Sequence, residues 1–187
     1  MLVHPEILQK EDPILREKAV AVPVDEITSE KIRTIIADMA AAMAEQKDGI
    51  AIAAPQIGVS LQIFLVSNSL LRRALSEDGL TENSRRADEK DILVFINPTI
   101  VKASRKKKEV EEGCLSVRWL YGKVSRATKV TIRAYNEKGE KKERGASDLL
   151  AQIFQHEIDH LNGVLFTDAA HEIWEMSEEE IKEMQER

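Results

Sequence analysis

The sequence predicts an α+β fold in which mostly antiparallel strands pack around a central C-terminal helix that carries a His-Glu-x-x-His motif. Strand-like runs occupy the middle of the chain, and an apolar helix follows them near the C-terminus. Strands and helices do not alternate in the manner that builds parallel sheets. With 187 residues, 43% of them apolar, the chain is long enough to bury a core, and we expect residues 1–187 to form one domain.

The first elements are an extended arm, a helix and a run of small residues. Prolines within residues 1–27 disfavour helix at the residues that precede them. Residues 29–46 are predicted to be an amphipathic helix, because Ile and Met recur there at steps of three and four. Residues 49–58 are mostly small and are bounded by glycines, which allows another segment to approach the backbone closely.

Runs rich in Val, Ile, Leu and Phe predict strands at 61–66, 92–96 and 128–135. A turn at 136–139 predicts a hairpin into residues 140–144. Residues 72–91, dominated by charged side chains, are expected to form a solvated insertion. The basic segment 102–108 is expected to be a solvated loop.

The charge balance and the cysteine count exclude several classes of protein. A formal net charge of −6 argues against DNA as a partner, and no apolar run is long enough to span a membrane. The single cysteine excludes an internal disulfide and fits a reducing compartment, so a cytoplasmic protein is expected. Much of the acidity lies in a predicted tail at 171–187, where Ser177 and Glu180 can form a capping box.

The last predicted helix, 147–162, carries the strongest chemical signal. It begins with Ser147 as N-cap and ends at Asn162-Gly163. His156 and His160 are four residues apart, so both imidazoles lie on one helix face and can share a metal ion. The carboxylate of Glu157 can then reach a water molecule beside the ion, which is the position of a general base.

Two histidines leave a tetrahedral metal short of protein ligands. Cys114, in the segment Glu-Gly-Cys-Leu-Ser at 112–116, is a candidate for the third. The residues alone leave two alternatives open, a small buried apolar side chain and a nucleophilic thiolate paired with a histidine.

Three segments together resemble the peptide deformylase family. They are Gly-Ile-Ala-Ile-Ala-Ala-Pro-Gln at 49–56, Glu-Gly-Cys-Leu-Ser at 112–116 and Gln-His-Glu-Ile-Asp-His-Leu at 155–161. Their order and spacing match the family, and weaker similarity extends from the N-terminal arm through Phe166. The resemblance implies a hydrolase that removes the formyl group from nascent peptides that begin with N-formylmethionine and releases formate, a step of N-terminal methionine processing in protein biosynthesis.

The resemblance also assigns a metal centre and a catalytic set. It implies that Cys114, His156 and His160 hold one divalent ion, iron(II) in most of the family, while the ligand types are equally compatible with zinc, and nickel or cobalt can substitute in purified protein. Glu157 is implied as general base and acid. The Gln56 side chain and the Leu115 backbone N–H are implied as donors to the oxyanion.

For the substrate, the resemblance implies backbone contacts along an extended peptide and a pocket for methionine. The backbone contacts fall to Ile50, Ala51 and Gly113, and the pocket to the side chains of Ile50, Leu149 and Ile153. Asp159 faces away from the ligands, which favours a supporting role.

Two departures from the family pattern affect the expected substrate specificity, and the acidic tail at 171–187 affects the expected binding partners. Ala51 stands where the family usually has glycine, and 117–122 is bulkier than expected, so both can reshape the substrate groove. The acidic tail would be repelled by RNA, so a ribosome contact through it is not expected. The alternative functions are a metallopeptidase that uses the same metal helix and a non-catalytic peptide-binding relative.

Overall fold

Two antiparallel sheets frame the molecule in the computed structural model, which describes residues 5–46, 48–69, 71–72 and 91–186. The strands, in chain order, are β1 (Ala51–Ala53), β2 (Ile63–Ser67), β3 (Ile92–Ala103), β4 (Lys107–Gly113), β5 (Leu120–Ala127), β6 (Lys129–Tyr135), β7 (Lys141–Ser147) and β8 (Glu172–Glu175). One sheet has the order β1-β2-β3-β6-β7, and the other has the order β4-β5-β8. Strands β1 and β4 are therefore edge strands of their sheets.

Four α-helices have described bounds, namely α1 (Glu30–Ala44), α2 (Asp148–Leu161), α3 (Phe166–Ala169) and α4 (Glu178–Glu186), and residues 68–69 and 71–72 are helical as well. Helix α1 begins after Ser29, whose hydroxyl accepts a hydrogen bond from the Ile32 N–H at 3.3 Å. Short 3-10 helices span Pro13–Arg16, Val24–Glu26 and Ala54–Ile57. None of the described helices is long and apolar enough to cross a membrane.

Helix α2 is fixed against the larger sheet by a buried aromatic cluster. Phe64 of β2 stacks on Phe95 of β3 with ring centroids 4.7 Å apart, and Phe154 of α2 meets Phe95 edge-on at 5.0 Å. Phe64 and Phe154 are fully buried, so the aromatic contacts add to the free energy gained from burial. This packing fixes the position of α2, and with it the His-Glu-x-x-His motif, relative to the larger sheet.

The end of α2 is fixed by a glycine. Asn162 follows the last helical residue, and Gly163 has a φ of +74°, in the left-handed region that favours glycine. A Cβ atom at Gly163 would also lie 2.5 Å from the carbonyl oxygen of Arg16 in the N-terminal arm. The close approach lets the N-terminal arm pack against the end of α2, where the Ala19 N–H donates to the Leu161 carbonyl at 2.9 Å.

The predicted α+β class is confirmed, as are α1, α2 and strands near 61–66, 92–96, 128–135 and 140–144. The predicted end of β3 is wrong, because this strand continues to Ala103. Strands β4 and β5 were not predicted, and the expected loop at 102–108 is reduced to the short turn between β3 and β4, with Lys107 and Lys108 inside β4. The charged side chains of β4 lie mostly on its solvent face, which makes the strand resemble a loop in sequence.

The C-terminal segment is more ordered than a tail. Its residues 172–175 form β8, which pairs with β5, and α4 follows. The predicted capping box is confirmed, since the Ser177 N–H donates to Glu180 at 2.8 Å and the Glu180 N–H donates to Ser177 Oγ at 3.3 Å. The predicted charged insertion at 72–91 lies outside the described residues except for its ends.

Candidate active site

The three predicted metal ligands meet beside α2. Cys114 follows β4 directly, and His156 and His160 project from successive turns of α2. One ligand atom from each of the three residues lies within 4.8 Å of the other two, and Cys114 Sγ is 3.2 Å from His160 Nε2. A thiolate and two imidazoles so placed form a donor set that suits a tetrahedral divalent ion with one position open. The residues therefore fit a metal ion.

The orientation of His156 is set by a buried chain of charged groups. Glu112 Oε2 lies 3.0 Å from His156 Nδ1, which leaves Nε2 of that ring free to bind a metal. Arg126 donates to both Glu112 oxygens at 2.8 and 2.9 Å, and its other terminal nitrogen donates to Asp159 at 2.6 Å. Asp159 thus supports the site through Arg126, as its position facing away from the ligands predicted.

The surroundings of Cys114 favour the thiolate, the form that binds metals. Burial raises the pKa of Cys114, but His160 and His156 outweigh burial and lower this pKa to about 5. Burial lowers the pKa of His156, yet its hydrogen bonds with Cys114 and Glu112 leave that pKa well above its usual value. Both shifts favour the charged forms of the two side chains, a thiolate and an imidazolium. Metal binding by His156 would require this imidazole to lose its proton.

Glu157 lies on the same helix as the two histidines and is only 4% exposed. Burial raises the pKa of Glu157 to about 7, against the lowering effect of His156 and His160. Within the described part of the chain, Glu157 Oε2 has no hydrogen-bond partner. A buried carboxyl oxygen without a partner is costly, and such groups are typical of sites that bind a substrate or water.

Gln56 is held with its amino group toward the ligands. Its Oε1 accepts a hydrogen bond from the Ala53 N–H at 2.8 Å, and its Nε2 donates to Ser116 Oγ at 3.1 Å. The same Nε2 is 3.6 Å from Cys114 Sγ. The 3-10 helix Ala54–Ile57 makes this possible by turning the chain sharply after β1.

A cleft of about 240 Å³ opens over this group of residues. Its inner end is lined by buried side chains, namely Gln56, Ile153 and Glu157, whereas Arg118 and Trp119 on the rim are partly exposed and Asp48 is exposed. Its remaining lining residues include the predicted Ile50, Ala51, Gly113, Cys114, Leu115, Leu149 and His156. His160 is not part of the lining and is 1% exposed.

Two of the predicted departures from the family pattern have structural explanations. Ala51 begins β1 opposite Val66, and its φ is not positive, so this position does not need glycine for its conformation. Gly113 is different, because a Cβ atom there would lie 2.6 Å from the ring of Tyr121 on the neighbouring strand. The bulky segment 117–122 therefore lies against Gly113 through Tyr121 and forms part of the cleft wall.

The structure brings together Cys114, His156 and His160, which the sequence predicted as metal ligands, but the groups that contact them from behind were not predicted. Arg126 was not singled out, and Glu112 was quoted only as part of a motif. Their contact depends on the pairing of β4 with β5, which sequence reasoning did not predict. Gln152, for which the sequence suggested no role, donates to the Glu111 carbonyl at 2.7 Å and lines the cleft.

Comparisons with known proteins identify the family of the chain. The sequence model of the polypeptide deformylase family matches residues 4–175. The chain is 40% identical to peptide deformylase 2 of Clostridium acetobutylicum over 163 residues, which is 87% of this chain and 93% of the relative. It is 37% identical to a peptide deformylase of Desulforudis audaxviator over 173 residues, 92% of this chain and 97% of that one.

Solved structures give the same result. A peptide deformylase of Acinetobacter baumannii with bound Met-Ala-Ser aligns with a TM-score of 0.75 and 33% identity, over 90% of this chain and 99% of that one. A peptide deformylase of Synechococcus elongatus in complex with actinonin aligns with a TM-score of 0.73 and 29% identity, over 100% of this chain and 87% of that one. On its sequence, its fold and its relatives, the chain belongs to the polypeptide deformylase family.

Proposed function

We propose that this chain is the hydrolase its family membership indicates, with its catalytic group at Glu157 and its metal ligands at Cys114, His156 and His160. The substrate is a nascent peptide that begins with N-formylmethionine, and the products are formate and a peptide with a free amino terminus. The observation that carries the proposal is the buried Glu157 Oε2, which has no hydrogen-bond partner among the described residues, on the helix that also supplies two members of the cluster of three candidate ligand atoms.

One divalent ion completes the site, and iron(II) is the ion we propose, as in most of the family. When bound, it would supply a Lewis acid that polarises the formyl carbonyl and makes a water molecule more acidic. The donor set supports metal binding, since Cys114 favours its thiolate form and His156 turns Nε2 away from Glu112.

Glu157 is the group that moves protons. It takes a proton from the attacking water and gives one to the amine that leaves. A pKa of about 7 suits both tasks, because a carboxyl group then gains and loses a proton at small cost near neutral pH. Its burial also limits competition from bulk water.

Gln56 and Leu115 stabilise the negative charge that develops on the formyl oxygen. The amide of Gln56 is fixed by its bond from Ala53, so its amino group does not have to reorient. The Leu115 N–H has no acceptor among the described residues and is available to a ligand. Both groups line the cleft next to Cys114.

The peptide is proposed to lie between two sheet edges. Strand β1 supplies Ala51, preceded by Ile50, and strand β4 supplies Gly113; each is an edge strand with backbone groups available for pairing. Leu149 and Ile153 of α2 complete an apolar wall for the methionine side chain. Backbone pairing explains how one site can accept many nascent sequences.

The test is formate release by protein prepared without oxygen and loaded with iron(II), nickel(II) or cobalt(II). With formyl-Met-Ala-Ser, we expect one formate for each new amino terminus. No formate with any of these ions would refute the proposal. Release of serine or Ala-Ser without formate would instead support a metallopeptidase, and binding without any product would support a non-catalytic peptide-binding protein.

We also propose that the protein works in the cytoplasm, where nascent chains and reduced cysteine coexist. Its bacterial relatives and the thiol ligand support this location.

A further inference from the structure

Arg118 joins two segments at the mouth of the cleft. Its guanidinium donates to both carboxylate oxygens of Asp48, at 2.7 and 3.2 Å, and to the side-chain oxygen of Gln46 at 2.7 Å. Its other contact is the ring of Trp119, 5.0 Å from the guanidinium carbon to the ring centroid. We call Gln46, Asp48 and Arg118 the mouth clasp.

The mouth clasp connects the two walls between which the peptide is proposed to lie. Gln46 and Asp48 belong to the segment that leads from α1 into Ile50 and β1. Arg118 belongs to the connection between β4 and β5, four residues after Cys114. The two segments also touch below the clasp, because a Cβ atom at Gly49 would lie 3.4 Å from Leu115 Cδ1. The clasp therefore limits the distance between the segment that leads into β1 and the connection between β4 and β5.

The geometry is that of a fixed contact. The side chains of Arg118 and Asp48 are 21% and 32% exposed, so solvent screens them less than a fully exposed pair. A forked, two-bond contact between guanidinium and carboxylate restricts orientation as well as distance, and stacking on Trp119 restricts the guanidinium plane. Backbone hydrogen bonds within residues 46–49 are short-range, such as Gly49 N–H to the Gln46 carbonyl at 3.2 Å, and the long-range contacts of this wall begin at Ile50, whose carbonyl accepts from the Ser67 N–H at 2.7 Å.

Position in the cleft indicates which part of a substrate depends on the clasp. The formyl group must reach Glu157 at the buried inner end, and the rest of a nascent chain must leave through the exposed mouth. The residues after methionine therefore pass between the segments that Arg118 joins. The clasp does not touch the reacting atoms, and any effect it has on turnover acts through the wall it holds.

Given the proposed function, we propose that Arg118 is a positioning residue that fixes the mouth of the cleft for the residues following formylmethionine. Removing the ion pair between Arg118 and Asp48 leaves the cleft wall at Ile50 and Ala51 less constrained. Binding of an extended peptide then costs the free energy of ordering that wall, while chemistry at the inner end is unchanged.

The experiment is a double-mutant cycle on the metal-loaded enzyme with Arg118→Gln, Asp48→Asn and the double variant. With formyl-Met-Ala-Ser we expect each single variant to raise KM about fivefold and to leave kcat within about twofold. The double variant should match Arg118→Gln, because that substitution already removes the contact with Asp48 that Asp48→Asn removes. With formylmethionine amide, which ends before the mouth, all three should match the unmodified enzyme.

Lys123→Gln is the matched control, because Lys123 makes an ion pair of the same length, 2.7 Å to Glu172, away from the cleft. Arg118→Lys keeps the charge without the fork and should give an intermediate KM. Unchanged KM values for Arg118→Gln and Asp48→Asn, additive effects in the double variant, or equal losses with both substrates would overturn the proposal.

A second readout separates this inference from the proposed function. Calorimetric binding of Met-Ala-Ser to the same metal-loaded variants does not require turnover, and Arg118→Gln should weaken it about fivefold. If the unmodified chain released no formate, the proposed function would fail, while weaker peptide binding by Arg118→Gln would still support the clasp. Equal binding by all variants would refute the clasp whatever the formate assay gives.

Discussion

At the scale of single residues, the orientation of His156 depends on a buried carboxylate that is not itself a proposed metal ligand. Glu112 is 4% exposed and joins His156 to Arg126. Burial raises the pKa of Glu112, but hydrogen bonds from Arg126 and His156 lower it to about 2, so this carboxylate stays charged at any ordinary pH. The charge fixes the His156 ring with Nδ1 toward Glu112 and Nε2 toward the ligand cluster.

We predict that Glu112→Gln weakens metal binding about 10- to 100-fold, because the amide no longer pairs fully with Arg126 or anchors His156. The measurement is the metal content retained against a graded series of chelator concentrations. Glu109→Gln is the control, since Glu109 lies on the same strand and pairs with His171 at 2.7 Å near the surface. Equal retention by the two variants would show that Glu112 does not support the ligand.

The residues proposed as metal ligands could be singled out from the sequence, whereas the side chains that contact them could not. His156, Glu157 and His160 share a local helical spacing, which a sequence displays directly. Cys114 was a candidate from the residues alone, with two alternatives left open, whereas Gln56 was singled out only through the resemblance to a known family. Arg126 lies 14 positions after Glu112 with no local pattern that joins them, and only the pairing of β4 with β5 brings them together.

At the scale of elements, α2 carries three of the six residues proposed as catalytic groups or metal ligands, and its end depends on one close contact. Gly163 combines a φ of +74° with a backbone carbonyl of the N-terminal arm in the space where a side chain would begin. The arm and the helix can therefore be packed as observed only with glycine at this position.

Gly163→Ala is expected to lower the free energy of unfolding by about 1–2 kcal/mol from backbone strain alone, and further from the contact with Arg16. Denaturant unfolding measures this change. Gly145→Ala, on β7, has a nearest neighbour at 3.9 Å and no positive φ, so it should change stability little. A loss at Gly163 no larger than that at Gly145 would contradict this account of the helix end.

Helices and strands whose apolar residues repeat at a regular spacing could be predicted from the sequence. Strands that form only because they pair with a neighbouring strand could not. Helices α1 and α2 show apolar residues at helical spacing, and β6 alternates with a period of two. Strand β4 has the sequence Lys-Lys-Glu-Val-Glu-Glu-Gly, in which only one residue is fully buried, and that residue is Glu112. Its strand conformation comes from pairing with β5, so tertiary structure overrides local propensity there.

At the scale of the whole molecule, the two sheets and α2 meet at the site. The five-stranded sheet brings Gln56 through β1 and its following turn, the three-stranded sheet brings Cys114 through β4, and α2 brings the histidines between them. In the proposed binding mode, a peptide lies between the two sheet edges and passes the mouth clasp on its way to Glu157. The chain has a net charge of −6, and α4 carries acidic residues. We therefore still predict that the C-terminal segment does not contact RNA.

The most direct test of the account is Glu157→Gln, assayed for bound metal and for formate in the same preparation. We predict that the variant keeps about one metal ion per chain, because Cys114, His156 and His160 are intact, and that formate release from formyl-Met-Ala-Ser falls at least about 1000-fold. Full metal content with activity within about tenfold of the unmodified enzyme would show that Glu157 is not the proton-transfer group, and the central claim would then be wrong.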